Sequence, residues 1–93
     1  MIVSFADKAT AAVYFGKRAK IIAPDIYIRA RAKLHVLATT DNINDLRIPP
    51  SNHLEKLTGD RSEQYSIRIN QQWRICFEWH DGHAENVEIV DYH

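Results

Sequence analysis

The sequence predicts an α+β fold: a small antiparallel β-sheet of three to five strands with two N-terminal α-helices packed on one face. Three observations lead there. Residues 24–39 carry Ile26, Tyr27, Ala30, Leu34, Leu37 and Ala38 on one face of a helical wheel. Beyond residue 64 the apolar period changes from about 3.6 to about 2. Tyr65, Ile67 and Ile69 alternate there with Ser66, Arg68 and Asn70, and Trp73, Ile75, Phe77 and Trp79 alternate with Arg74, Cys76 and Glu78. Finally, Asp81-Gly82 is a dipeptide suited to a tight hairpin turn, so the strands should run as a meander.

The elements follow in order. Residues 2–5 read as a short strand, and Asp7 is placed to cap a helix from Lys8 to Phe15 that Gly16 can close in a left-handed conformation. Pro24 and Asp25 suit the first turn of the second helix, where proline loses no hydrogen bond and a carboxylate meets the positive dipole end. Arg29 and Lys33 flank its apolar stripe on one side and Arg31 on the other. Residues 40–52, rich in Asn, Asp and Pro, read as a loop with one helical turn around Ile43 and Leu46. After the meander's first two strands and the Asp81-Gly82 turn, Asn86 to Val90 forms the third.

With 93 residues, 45% hydrophobic and 26% charged, the chain suits one domain with one core. No stretch approaches the roughly 18 apolar residues of a membrane span, and the N-terminus lacks the pattern of a secretion signal. Cys76 is the only cysteine, which excludes an internal disulfide and a thiolate zinc site and predicts a reducing, cytoplasmic setting. Twelve bases balance twelve acids, yet residues 1–50 hold eight bases to four acids and residues 51–93 hold four to eight. Zero net charge therefore conceals two opposite halves and does not exclude nucleic acid.

Strand register suggests a site. If Tyr65, Ile67 and Ile69 share a face with Trp73, Ile75 and Phe77, a three-residue loop, Asn70 to Gln72, pairs Ile69 with Trp73 and sets Arg68 opposite Arg74. Facing like charges cost some tenths of a kcal/mol, a penalty that a bound anion would remove. With Val87 and Ile89 on the core face, Glu88, Val90 and Tyr92 join the arginines on the other. Asp91 and His93 reach that surface only if the tail bends. A phosphate and base site is one reading; pairing of the arginines with Glu78 or Glu88 is the plainer one. His80 and His83 bracket a turn without a third ligand and read as hairpin residues rather than a metal site. His35 reads as a helix-surface histidine, Cys76 as an ordinary strand residue, and Trp73 and Trp79 as core.

The series Leu57 to Arg61, Gln64 to Asn70, Gln72 to Phe77 and Val87 to His93, with Met1 to Phe5 and the two helices, resembles the HigB branch of the RelE/ParE toxin superfamily. The likeness covers essentially the full length, residues 1–93, as one toxin domain. It implies the toxin of a type II toxin–antitoxin pair, a ribosome-dependent endoribonuclease that cleaves mRNA in the ribosomal A site and so inhibits translation. The partners implied are the ribosome, mRNA and a helix-turn-helix, HigA-like antitoxin encoded nearby; no membrane, cofactor or metal is implied. The family's catalytic positions fall on Arg68, Arg74, Asp91, Tyr92 and His93. The resemblance suggests Asp91 as base and His93 as acid or orienting group, or the reverse, with both arginines on the phosphate and Tyr92 stacking on or polarising the substrate. Many relatives carry a lysine before the Gly-Asp-Arg run, where this chain has Thr58. Lys56, Arg61 and His53 are the candidates to replace it in substrate binding. The basic rim of Lys17, Arg18, Lys20, Arg29, Arg31 and Lys33 is suited to docking on ribosomal RNA. The alternatives are a ParE-like toxin that poisons DNA gyrase by binding, and an inactive relative that binds only the antitoxin. The intact Asp91-Tyr92-His93 ending favours the nuclease.

Overall fold

In a computed structural model, which describes residues 1–19 and 22–91, the first helix, α1 (Lys8–Tyr14), starts where Asp7 accepts a hydrogen bond from the Thr10 amide at 2.7 Å. It ends one residue earlier than the sequence suggests, with Phe15 as its C-cap and Gly16 turning the chain at φ +77°. The second helix, α2 (Pro24–Thr39), has the predicted limits, and Pro24 and Asp25 occupy its first turn. Its stripe of Ile26, Ala30, Leu34 and Leu37 is buried against the sheet, and full burial of a large aliphatic side chain contributes about 1.5–3 kcal/mol. Residues 40–54 lie outside regular helix and strand except for two 3-10 turns, Ile43–Arg47 and Pro50–Asn52. The buried Asn52 donates to the carbonyls of Leu46 and Ile48 and accepts from Lys33 Nζ, which ties this segment to α2.

Four strands form one antiparallel sheet in the order β1 (Glu55–Lys56), β2 (Gln64–Arg68), β3 (Trp73–His80) and β4 (His83–Asp91). β1 was not foreseen, because two exposed charged residues carry no apolar alternation. The β2–β3 register is the expected one: Ile67 faces Ile75, Arg68 faces Arg74, and the Ile69 amide donates to the Trp73 carbonyl at 2.8 Å. Ile67, Ile69, Ile75, Phe77, Val87 and Ile89 fill the helix-facing side, with Trp73 and Trp79 half-buried against them.

β4 begins three residues before its predicted start, and a bulge explains why. Cys76 pairs with Glu88 and Glu78 with Glu85, so Phe77 alone opposes both Asn86 and Val87. Asn86 takes φ +52°, a conformation that asparagine tolerates better than most residues. The extra residue lets Ala84 share the core face with Val87 and Ile89 although their spacing breaks the alternation. At the hairpin tip Asp81 and Gly82 both have positive φ, as a two-residue turn of this hand requires.

The predicted N-terminal strand is reduced to two isolated parallel bridges, Ile2 with Ala84 and Phe5 with Val87. The segment nevertheless closes the outer edge of β4. Ala84 donates to the Met1 carbonyl, Asn86 to Ser4 Oγ and Val87 to the Ser4 carbonyl. The Ile89 amide, beyond the reach of that segment, donates to Thr10 Oγ1 of α1 at 2.9 Å. Thr10 is 1% exposed. Thr10→Val, nearly equal in volume, should therefore strand a buried amide and lower stability by about 1–3 kcal/mol in urea unfolding, while Thr10→Ser should retain most of it.

Candidate functional site

The face of the sheet away from the helices carries Ser66, Arg68, Arg74, Cys76, Glu88 and Val90. Pairing puts Arg68, Arg74 and Val90 in one row across β2, β3 and β4. The two arginines differ in environment. Arg74 is 5% exposed, donating from Nε to Ser66 Oγ at 2.9 Å and from Nη2 to the His53 carbonyl at 2.7 Å, with Glu55 4.0 Å from Nη1. Arg68 is half-buried and makes no side-chain hydrogen bond or ion pair among the described residues. A guanidinium stays charged at any physiological pH, so Arg74 needs the acceptors it has, whereas the Arg68 donors are uncommitted among the described residues.

Glu78 and Glu88, the carboxylates that the sequence offers to the arginines, have other partners among the described residues. Glu88 accepts from Arg61 at 3.2 Å, and Glu78 accepts from Asn86 at 2.9 Å and lies 3.2 Å from His80 Nε2. Arg61 also donates to Gln64 at 2.9 Å. Its 3-10 turn, Gly59–Arg61, is thus clasped over the sheet, and Cys76 below is fully buried, with its thiol pKa pushed up chiefly by that burial.

The remaining predicted residues are dispersed. Asp91 pairs with Trp73, so strand parity puts it on the helix side of the sheet, and its Oδ2 accepts from Gln72 at 3.3 Å. Tyr92 and His93 lie outside the described residues, as does Lys20. His53 is exposed in a left-handed conformation, φ +45°, that aims its carbonyl at Arg74. Lys56 follows parity to the helix side, its Nζ 5.4 Å from the Tyr65 ring centroid. A pocket of about 490 Å³ between Glu55, Lys56, Thr58, Asp60 and Arg61 runs along β1 and the clasp. In the basic rim Lys33 is bound to Asn52, and its pKa is lowered by burial and then by Arg29. Lys17, Arg18, Arg29 and Arg31 are exposed. Sequence reasoning missed the partners of Arg74; Ser66, diagonal to it in the register, was the one signal available, since a backbone carbonyl leaves none. Among the described residues no group of three or more His, Cys, Asp or Glu side chains could hold a metal ion, and no helix is long and apolar enough to cross a membrane.

This arrangement sets two guanidiniums in one row on the same face of the sheet, a chemistry suited to an anion. Residues 3–93 match the family described as the RelE-like toxin of the type II toxin–antitoxin system HigB. The chain belongs to this HigB-like toxin family. It is 39% identical over 90 residues to Toxin HigB-1 of Vibrio cholerae, covering 96% of this chain and 95% of that one. It is 31% identical over 94 residues to Endoribonuclease HigB of Proteus vulgaris, across 100% of both. An uncharacterized protein of Haemophilus influenzae is 36% identical over 75 residues, 81% of this chain and 74% of its own. Membership in a HigB-like family makes an antitoxin the expected partner and associates the fold with endoribonucleases.

Two outcomes follow from the polar contacts. Ser66→Ala removes an acceptor from a buried charge and should destabilise the fold by about 1.5–3 kcal/mol in urea unfolding; an unchanged midpoint would contradict the tie to Arg74. At the hairpin tip, His80 is raised by its hydrogen bond to Glu78, and Glu78 is lowered by Asn86 and then His80. The His80 contribution is complete below the ordinary imidazole pKa and is lost as pH rises through the raised value. The Glu78 contribution is complete above the ordinary carboxylate pKa and is lost as pH falls through the lowered one. Both are fully present between about pH 4.3 and 6.5. Glu78→Gln should move the His80 titration, followed by NMR, back toward the ordinary imidazole value.

Proposed function

We propose that this toxin cleaves mRNA on the ribosome by attack of a ribose 2′-hydroxyl on the adjacent phosphodiester. The observation that carries the reading is Arg68, set directly opposite Arg74 with no acidic partner among the described residues. Two guanidiniums side by side repel, and a phosphate between them converts that repulsion into attraction. In the reaction the O2′–P bond forms as the P–O5′ bond breaks, leaving a 2′,3′-cyclic phosphate and a 5′-hydroxyl. One proton leaves O2′ and one joins O5′, and extra negative charge gathers on the non-bridging oxygens.

Arg68 meets that charge directly, while Arg74 adds a fixed positive field from below. Proton transfer falls to Asp91, His93 and the exposed His53, and stacking to Tyr92. Asp91 ends β4 one residue past the arginine row, so the substrate bends around this end of the sheet to reach both faces. Arg61, committed to Gln64 and Glu88, shapes the neighbouring surface rather than binding RNA. On the ribosome, Arg29 continues the basic surface along α2, beside the Lys33–Asn52 contact that leads to His53. The reaction takes place in the cytoplasm, and a helix-turn-helix antitoxin restrains it.

Purified protein with programmed ribosomes and end-labelled mRNA provides the test. Wild type should cut A-site mRNA into fragments with cyclic or 3′-phosphate and 5′-hydroxyl ends, and ribosome-free mRNA should survive. Arg68→Ala and Asp91→Ala should each slow cutting by roughly 10²–10³-fold. Intact mRNA with wild type would sink the reading. Growth arrest that persists in the double variant would identify a toxin that acts by binding, such as a gyrase poison.

A further inference from the structure

The corner where α1 passes to α2 has a character of its own. The Arg31 guanidinium lies over Gly16, with Nη2 only 3.2 Å from where a Cβ would stand. Tyr27 reaches back from α2 and donates its hydroxyl to the Lys17 carbonyl at 3.0 Å. These contacts brace a pocket of about 600 Å³ whose walls include Gly16, Arg18, Ala19, Ile22, Tyr27 and Ile28. Ile28 is 77% exposed, and Phe15, next to Gly16 in the chain, is 65% exposed. Large apolar side chains are thus held in water beside a pocket with an apolar wall, an arrangement typical of a surface that a partner covers.

The charges around it are one-sided. Lys17, Arg18 and Arg31 are all exposed, and between Lys8 and Lys33 seven bases meet a single acid, Asp25. A second copy of the chain is a poor occupant, because a two-fold contact would set these bases against their own equivalents. RNA would satisfy the bases but leave Ile28 and Phe15 in water. A protein segment with an apolar side chain for the pocket and carboxylates for the rim satisfies both. We propose that this corner is where the antitoxin docks, through an acidic amphipathic segment that seats an apolar anchor beside Ile22, Tyr27 and Ile28 and pairs with Lys17, Arg18 and Arg31. The surface lies on the helical layer, away from the arginine row, so the inference does not depend on the chemistry proposed for that row.

Labelled antitoxin from the toxin's own operon, titrated against the full-length chain by fluorescence anisotropy, is the direct test. Ile28→Asp should weaken binding at least about tenfold, and Arg18→Glu combined with Lys17→Glu should do the same. Since these side chains are exposed, thermal unfolding should match wild type, and Ile28→Asp should still arrest growth while escaping suppression by co-expressed antitoxin. Antitoxin affinity within twofold of wild type for both variants would overturn the proposal. Ribosome binding lost from both with antitoxin binding retained would make the corner an RNA surface. A wild-type dimer in sedimentation that Ile28→Asp separates, with antitoxin binding intact, would make it a self-association surface.

Discussion

A guanidinium that cannot lose its charge, buried in a sheet, obliges the surrounding chain to supply acceptors. Arg74 is that group, and much of the architecture around the site answers its demand. One acceptor, Ser66 Oγ, comes from the adjacent strand. Another is the His53 carbonyl, which His53 aims at Arg74 by turning the chain left-handed on leaving the 3-10 turn. That turn is held by Asn52, whose amide binds Leu46 and Ile48 and whose carbonyl oxygen receives Lys33. The chain of contacts from Arg74 through His53 and Asn52 to Lys33 runs around the edge of the sheet. It joins the face that carries the arginines to the helix that covers the opposite one.

The bulge at Asn86 imposes a second constraint, on register. Ala84, Val87 and Ile89 must all face the core, yet strict alternation would turn Ala84 outward. One extra residue resolves the conflict, and the parallel contacts of residues 1–6 secure β4 on either side of it. Beyond the bulge the strand is regular again, so Val90 completes the row with Arg68 and Arg74 while Asp91 is directed to the other side. The bulge is therefore what lets one strand serve both the Trp79 end of the core and the arginine end of the sheet.

These constraints mark what could be read from sequence. The Arg68–Arg74 pair was legible because two apolar faces and a loop of fixed parity leave one register, and the limits of α2 were legible from Pro24 and its apolar stripe. The start of β4 was not, since the bulge erases the alternation by which a strand is recognised. β1 was hidden because pairing by backbone alone leaves no side-chain pattern. Most of the Arg74 environment was hidden for a related reason: His53 contributes a carbonyl, and its left-handed turn occurs without the Gly or Asn that would have announced it. The sheet parity of Asp91, by contrast, followed from its spacing to Val87 and Ile89.

The two arginines are one pair in sequence and two different instruments in structure. Arg74 has donors bound to Ser66 and His53 and a small exposed fraction. Arg68 stands at the end of β2 with its donors uncommitted among the described residues. A phosphate approaching this face therefore meets one charge already ordered and one that must still be ordered. The fixed charge would cost no further side-chain entropy on binding, and in the proposed reaction the other would follow the phosphorus from tetrahedral to trigonal bipyramidal. A pair held rigid on both sides would fit one state of the phosphate, and a pair free on both sides would bind the ground state as readily as the transition state. In the proposed reaction, one fixed and one adjustable guanidinium would favour the state in which negative charge is greatest, where stronger binding becomes rate.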